Sequence, residues 1–555
     1  MNTQIIALIA VVSPLVFVVT AIVSWFQPGL RPVFLKKMAT GSTIVSIIIA
    51  LLIGLFIIQH GMLETHFLGF SNIGFSLRLD ALSVLMLSMI ALLGFIIMRY
   101  SLNYLDGDAR QGAFIGRLAA TIASVQLLVL SGNLGLLFVS WVLTSISLHR
   151  LLLFYRERPG AIIAARKKFI LARLGDVALL TACVLLYFQF GTGNIEVIFQ
   201  EIKTSLASGT TLVGIEASAL LLATAAILKS AQFPTHGWLI EVMETPTPVS
   251  ALLHAGLLNA GPFVIIRMAY VMEASVYAPI VLIIIGGFTA LFASVVFLTQ
   301  TSVKTALGYS SVAHMGFSLM ICGLGVYPAA MLHLVAHSFY KAHSFLSSGS
   351  AIELVRSAKV TGGKRLGNPF KIALGIAAGL GVYVSFALAW GIKPNEEFGL
   401  LAIGAIIVLG LSRLFTSAFD SNGGSKLMIR AFLLSLVVIT SFFLLESGAH
   451  NLLSSQLPEL MQPSFTEIII TSTLLFLFGL AVFFQILAPV VKSKPFYRAM
   501  AIHLRNGLYV NTISDRTVRA LYEQDMQRKT LLITGTKTSK KSDSISVKKY
   551  ENHPV

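Results

Sequence analysis

Apolar stretches of about 20 residues recur from one end of this chain to the other, and this recurrence restricts the fold more than any motif does. A hydrocarbon core about 30 Å thick is crossed by roughly 20 apolar residues in helical form, because a helix pairs its own backbone polar groups. About fifteen such segments are expected, centred near residues 5–26, 41–60, 80–99, 113–130, 133–154, 168–189, 213–230, 248–272, 277–299, 304–325, 328–352, 371–391, 399–416, 428–446 and 466–492. With 56% hydrophobic and 12% charged residues and a mean hydropathy of +0.83, the 555 residues hold too little polar surface to coat a soluble globule. The sequence therefore predicts an all-α, polytopic membrane protein of about fifteen transmembrane helices. The N-terminal stretch MNTQIIALIAVVSPLVFVVTAIVSWF has no basic n-region and is longer than a signal-peptide core, so it reads as a retained first span.

The formal net charge is +17. Its distribution argues for membrane topology rather than nucleic acid, since Lys and Arg gather in alternate loops. Arg31, Lys36 and Lys37 mark the first loop as cytoplasmic; Arg156, Arg158, Arg166, Lys167 and Lys168 mark the loop after span five; Arg356, Lys359, Lys364 and Arg365, then Lys426 and Arg430, fall on the same side. An odd number of spans puts the N-terminus outside and the C-terminus in the cytoplasm. The tail beyond Lys492 is polar and basic and lacks interleaved aromatics, which favours a membrane surface or a partner over nucleic acid. Cys183 and Cys322 lie in separate apolar spans and in no CxxC, and no phosphate-binding glycine motif occurs. Neither a metal site nor a nucleotide cofactor is expected in this chain. An ion gradient or a partner is the expected energy source.

Charged groups in the bilayer are costly, so the ionisable residues inside spans carry the information. They are Asp176, Lys229, His254, Lys304, His314, His333, His337 and Lys341. Spacing of four advances a helix by about 400°, so His333, His337 and Lys341 form a slowly drifting stripe about 12 Å long. Imidazoles stacked in this way pass protons through water, since His titrates near neutral pH. The competing reading is that the histidines only bond neighbouring helices while Lys341 snorkels to an interface. Lys229 ends an apolar run and is followed by SAQFPTHGWLIEVMETPTPVSALLHA, where Pro234, Gly237, Pro246 and Pro248 write a discontinuous helix. Backbone groups freed at membrane depth are tolerated only where protein or water pairs them, and water admitted there serves the lysine as well.

KSAQFPTHGWLIEVMETPTPVSALLHAGLLNAGPFVIIR, SVKTALGYSSVAHMGFSLMICGLG and HLVAHSFYKAHSFLSSGSAI together resemble the proton-translocating antiporter-like subunits of NADH:quinone oxidoreductases and multi-subunit sodium/proton antiporters. FSLRLDALSVLMLSMIALLGF is similar to the segment that opens the conserved part of that family. The resemblance covers roughly residues 70–365. It implies N-terminal spans at 1–112, inverted five-helix repeats at 113–272 and 277–416 with a broken helix in each, further spans at 417–492 and a basic cytoplasmic tail at 493–555. It also implies a midplane axis of lysines and histidines. Lys229 matches the central lysine of the first broken helix, His254 the ionisable group on the following helix, His333, His337 and Lys341 the relay between half-channels, and Asp176 the acid of the RxGD segment.

Two departures stand out against that family. Trp141 is followed by Val142 where a glutamate is usual, and the expected second broken helix offers only Lys393, near its end. SWVLTSISLHRLLLFYRERPGAIIAARKKFILARLGD resembles the membrane subunit of a two-component, energy-coupled inorganic-carbon accumulating system. That implies a bacterial inner-membrane location and a large, carbonic-anhydrase-like zinc protein as partner, with the cation pathway supplied by this chain. A respiratory or multi-subunit antiporter component is the alternative within the same fold. A redox enzyme handling NADH or quinone itself is the alternative from another class, disfavoured by the lack of a cofactor motif.

Overall fold

The computed structural model describes residues 3–155, 159–210, 212–242, 245–348, 368–419, 424–460, 462–491, 494–518 and 520. Arg156, Arg158, Arg356, Lys359, Lys364, Arg365 and the tail beyond residue 520 lie outside the described residues. The chain is overwhelmingly helical, and each of the fifteen expected spans coincides with a helical segment. In order these are α1 (Thr3–Leu8) with α2 (Val12–Val23), α3 (Val33–His60), α4 (Ala81–Tyr104), α5 (Gln111–Val129), α6 (Leu134–Leu152) and α7 (Pro159–Phe190). After the surface helix α8 (Ile195–Ala207) come α9 (Ile215–Lys229), α10 (Gly237–Glu241), α11 (Thr247–Ala255), α12 (Ala260–Arg267), α13 (Ala269–Glu273), α14 (Tyr277–Phe297), α15 (Val303–Gly323) and α16 (Tyr327–Leu346). Then follow α17 (Pro369–Trp390), α18 (Phe398–Phe419), α19 (Gly424–Leu453), α20 (Phe465–Val491) and α21 (Pro495–Arg505). Among the described residues, eleven helices are both long and apolar enough to cross a membrane. The four remaining segments are α9, of 15 residues, α18, whose apolar stretch is Phe398–Ser412, and α15 and α16, which carry the histidines.

Local chemistry sets the helix starts. Asp80, Asn133, Asn194 and Ser302 each accept a backbone N–H of the first turn of α4, α6, α8 and α15, pairing donors that helix ends leave free. Between α3 and α4 four short strands form two antiparallel pairs, β1 (Leu63–Glu64) with β4 (Arg78–Leu79) and β2 (Leu68–Phe70) with β3 (Ile73–Phe75). Ser71 and Asn72 both take positive φ, as a tight two-residue hairpin requires. This face is held by a buried ion cluster. Asp80 accepts from Arg267 at 2.5 Å and from Arg78 at 2.8 Å, Arg78 also pairs with Glu196 at 2.5 Å, and Arg267 donates to Ser83 at 2.6 Å.

Lys36, in the first turn of α3, lies on the opposite face. It pairs with Asp106 there at 2.6 Å, and Arg505 of α21 donates to Thr301 at 3.0 Å. The helix α1 packs beside β1 while α21 lies on the basic face, so the two ends of the described chain fall on opposite sides. One expectation is corrected here. Arg166, Lys167 and Lys168 are not in a loop, because α7 begins at Pro159, and both lysines are buried in it. Lys167 reaches Glu241 at 2.5 Å and also pairs with Asp515, and a helix this long carries the charge to its distant partners.

The segment 247–267 is wholly buried, so the other helices surround it. Phe370, Leu374, Val384 and Leu388 of α17 and Ile429, Leu433 and Val437 of α19 are exposed, as lipid-facing side chains are. α14 and α15 approach each other closely. A Cβ on Gly286 would lie 2.6 Å from the Gly316 carbonyl oxygen, and one on Gly316 would lie 2.6 Å from that of Gly286, so only glycine permits this approach.

Candidate functional site

The break after α9 is real. Ala231 takes positive φ, and helical hydrogen bonding resumes only at Gly237. The freed groups are paired locally, with Phe233 N donating to Thr289 Oγ1 at 3.1 Å, Gln232 Nε2 to the Ser230 carbonyl at 2.9 Å and Thr235 Oγ1 to the Gln232 carbonyl at 2.9 Å. Lys229, the last residue of α9, turns toward α6. Its ammonium donates to the Trp141 carbonyl at 3.1 Å, Thr144 Oγ1 at 3.0 Å and Ser145 Oγ at 2.7 Å, and lies 4.2 Å from the centre of the Trp141 ring. A lysine ammonium has three donors, and here every one of them meets an oxygen.

Among the described residues, no carboxylate makes that contact. Val142 packs against the core, and the acid in electrostatic reach of Lys229 is Asp176, itself paired with Arg173 at 2.6 Å. A cavity of about 20 Å³ opens at this point, lined by Thr144, Ser145, Lys168, Lys229 and Trp238 among others, and space of that size holds a water molecule. Lys168 donates to the Ser145 carbonyl at 2.6 Å, so two lysines share the cavity. Sequence reasoning missed Lys168 because the basic residues around it resemble a loop.

His254, on α11, is fully buried with neither ring nitrogen hydrogen-bonded, and its ring stacks on Phe345 of α16 at 4.4 Å. Lys341 lies one turn before Phe345, completely buried, and donates to the Leu307 carbonyl of α15 at 3.2 Å. It does not snorkel. Asn259, close after α11, donates to Ser338 at 2.7 Å and pins α16 against the central helices. His333 and His337 continue the stripe with ring centres 6.0 Å apart. His314 of α15 joins them, 5.2 Å from His333 and 4.8 Å from His337. It was visible in the sequence as an intramembrane histidine, but its place in the stripe depends on the register of α15 against α16.

Lys304 is half-buried in the first turn of α15, one turn before Leu307, whose carbonyl takes Lys341. Lys393 is not brought to the axis. It is exposed beyond the end of α17, pairs with Glu396 at 3.0 Å, and α17 itself runs unbroken from Pro369 to Trp390. The resemblance implied a break there, but this stretch has no proline inside it, and its glycines stay helical. Two polar groupings result: Lys229 with Lys168 and Asp176 beside α6 and α7, and His254, Lys341, His337, His333 and His314 along α16, with Lys168 and His314 as members the sequence did not assign.

Residues 131–368 match the family described as NADH:quinone oxidoreductase/Mrp antiporter, TM, and residues 67–115 match NADH-Ubiquinone oxidoreductase (complex I), chain 5 N-terminus. The chain is 34% identical over 461 residues to the probable inorganic carbon transporter subunit DabB2 of Halothiobacillus neapolitanus, covering 83% of each chain. It is 44% identical over 273 residues to the probable inorganic carbon transporter subunit DabB of Hydrogenovibrio crunogenus, where it spans 52% of that protein. It is 36% identical over 282 residues to NADH-quinone oxidoreductase subunit L of Escherichia coli, spanning 46% of it. Its fold is similar to that of a chain of the membrane-bound sulfane sulfur reductase, an archaeal respiratory membrane complex, at a TM-score of 0.56 and 18% identity, over 93% of this chain and 99% of that one.

Proposed function

The chain belongs to the antiporter-like membrane subunit family shared by NADH:quinone oxidoreductases and Mrp antiporters, and from that premise we propose that it is the cation-conducting subunit of an inorganic-carbon uptake complex. What supports this reading is the grouping of Lys229 with Lys168 and Asp176 and of His254 with Lys341, His337 and His333, which together we take as one ion route. Lys229 is held by neutral oxygens and an aromatic face instead of a carboxylate. In this proposal Asp176, Lys229, His254, Lys304, His333, His337 and Lys341 carry the ion, Lys168 and His314 extend the route, and Lys393 is left out. The repeats are assigned to 113–272 and 277–416. The basic face lies in the cytoplasm of a bacterial inner membrane, with the N-terminus outside.

Relatives named as probable inorganic carbon transporter subunits support the carbon reading over the respiratory one, since they include the match that covers 83% of this chain. The partner in this proposal is a large carbonic-anhydrase-like zinc protein that hydrates carbon dioxide, and ion flow through this chain makes that hydration one-directional. Affinity purification of the full chain from its native membrane tests this. A large, zinc-containing partner is the expected result. Flavin and iron–sulfur proteins in its place would transfer the chain to the respiratory alternative, which the 36% identity to subunit L keeps in view.

A further inference from the structure

We propose that His314, His333 and His337 form a binding site for a tetrahedral divalent transition metal, Zn²⁺, and that occupancy closes the ion route. The coordinating nitrogens of the three side chains all lie within 4.8 Å of one another. In a tetrahedral zinc site, N ligands about 2.0–2.1 Å from the metal are about 3.3 Å apart, so ring rotations that close about 1.5 Å complete the set. His333 and His337 supply the i, i+4 pair that lets one helix face grip a single ion, and His314 approaches from the neighbouring helix with its ring 4.8 Å from that of His337. Imidazole is the neutral donor that Zn²⁺ prefers, and three of them leave a fourth position for water.

A second observation points to a ligand. Nε2 of His333 and both ring nitrogens of the buried His337 have no hydrogen-bond partner, whereas buried polar groups ordinarily have one. The backbone around them is fixed. Ser318, four residues after His314, bonds the His314 carbonyl at 3.0 Å, Asn259 holds Ser338, and the Gly286–Gly316 contact locks α15 against α14. The site is thus built on rigid helices rather than loops. A bound dication occupies the lone pairs through which these imidazoles accept protons and repels a charged Lys341 one turn away. The closure of the route rests on the function proposed above, but the metal site does not.

The test uses the purified full chain, stripped with a chelator and titrated with Zn²⁺ alone. One equivalent should bind, X-ray absorption should report imidazole nitrogen at about 2.0 Å, and His314→Gln should weaken binding at least about tenfold. The control His60→Gln, at the exposed end of α3, should bind as the unaltered chain does. An oxygen-only shell around the metal, no saturable equivalent, or unchanged affinity in both His314→Gln and His333→Gln would overturn the site. The absorption measurement needs no variant, so it stands even where a substitution impairs folding. Cation flux in vesicles is read separately. Tight binding that leaves flux unchanged overturns only the closure.

Discussion

Lys229 shows how this chain replaces a carboxylate with oxygens that carry no charge. Trp141, Thr144 and Ser145 fall at i, i+3 and i+4 of α6, so one face of a single helix presents a carbonyl, two hydroxyls and a ring to the ammonium. Removing two acceptors leaves donors unpaired in a buried site, at a cost of about 1–3 kcal/mol for each. A Thr144→Val, Ser145→Ala variant should therefore insert normally but lose most ion-coupled uptake, measured as initial rates in membrane vesicles; unaltered rates would leave the cradle without a role. Asp80 is different in kind. Both of its oxygens accept from arginines inside the protein, and truncating one partner of a buried pair strands the others, costing about 3–5 kcal/mol. Asp80→Ala should show a much lower thermal midpoint in detergent even though it lies away from the ion route, and a midpoint within error of the parent would refute the clamp.

At the scale of elements, the route depends on where α15 lies against α14 and α16. Gly316 lies two residues beyond His314 and touches the α14 backbone, so a side chain there must push the helices apart. Overpacking of this sort costs about 1–3 kcal/mol. Gly316→Val should displace His314 and abolish flux while the protein remains in the membrane, as judged by flux and by yield after detergent extraction; full flux would mean that the register is not critical. The spans were legible in the sequence because length and hydropathy are local properties. The break after Lys229 was legible because prolines and a glycine wrote it. The membership of Lys168 and His314 was not, since it is fixed by how α7 packs on α6 and α15 on α16, which no local pattern reveals. Lys393 misled for the complementary reason. Its position near the end of an apolar run is equally compatible with the surface, where it pairs with Glu396.

At the scale of the molecule, the two faces are chemically unlike. Beyond the span that ends at Arg267, burial raises the Glu273 carboxyl to about 7, with Lys203 opposing the shift and Glu459 adding to it. The native state then holds that proton more tightly than the unfolded chain does. The associated stability is fully present below the unfolded value of 4.5 and is lost as pH rises through about 7. Thermal midpoints of the purified chain should fall between about pH 5 and about pH 8, and Glu273→Gln should flatten that fall; an equal slope in the variant would contradict the assignment. Ion conduction in this proposal requires that Lys229 and the histidine stripe form one series path. The direct measurement is gradient-driven cation flux in vesicles carrying the chain with its co-purified partner, comparing Lys229→Ala, His337→Ala and the double variant. A series path predicts that each single change abolishes flux and that the double variant loses nothing more. Undiminished flux in Lys229→Ala, or losses from the two single changes that simply add, would contradict it.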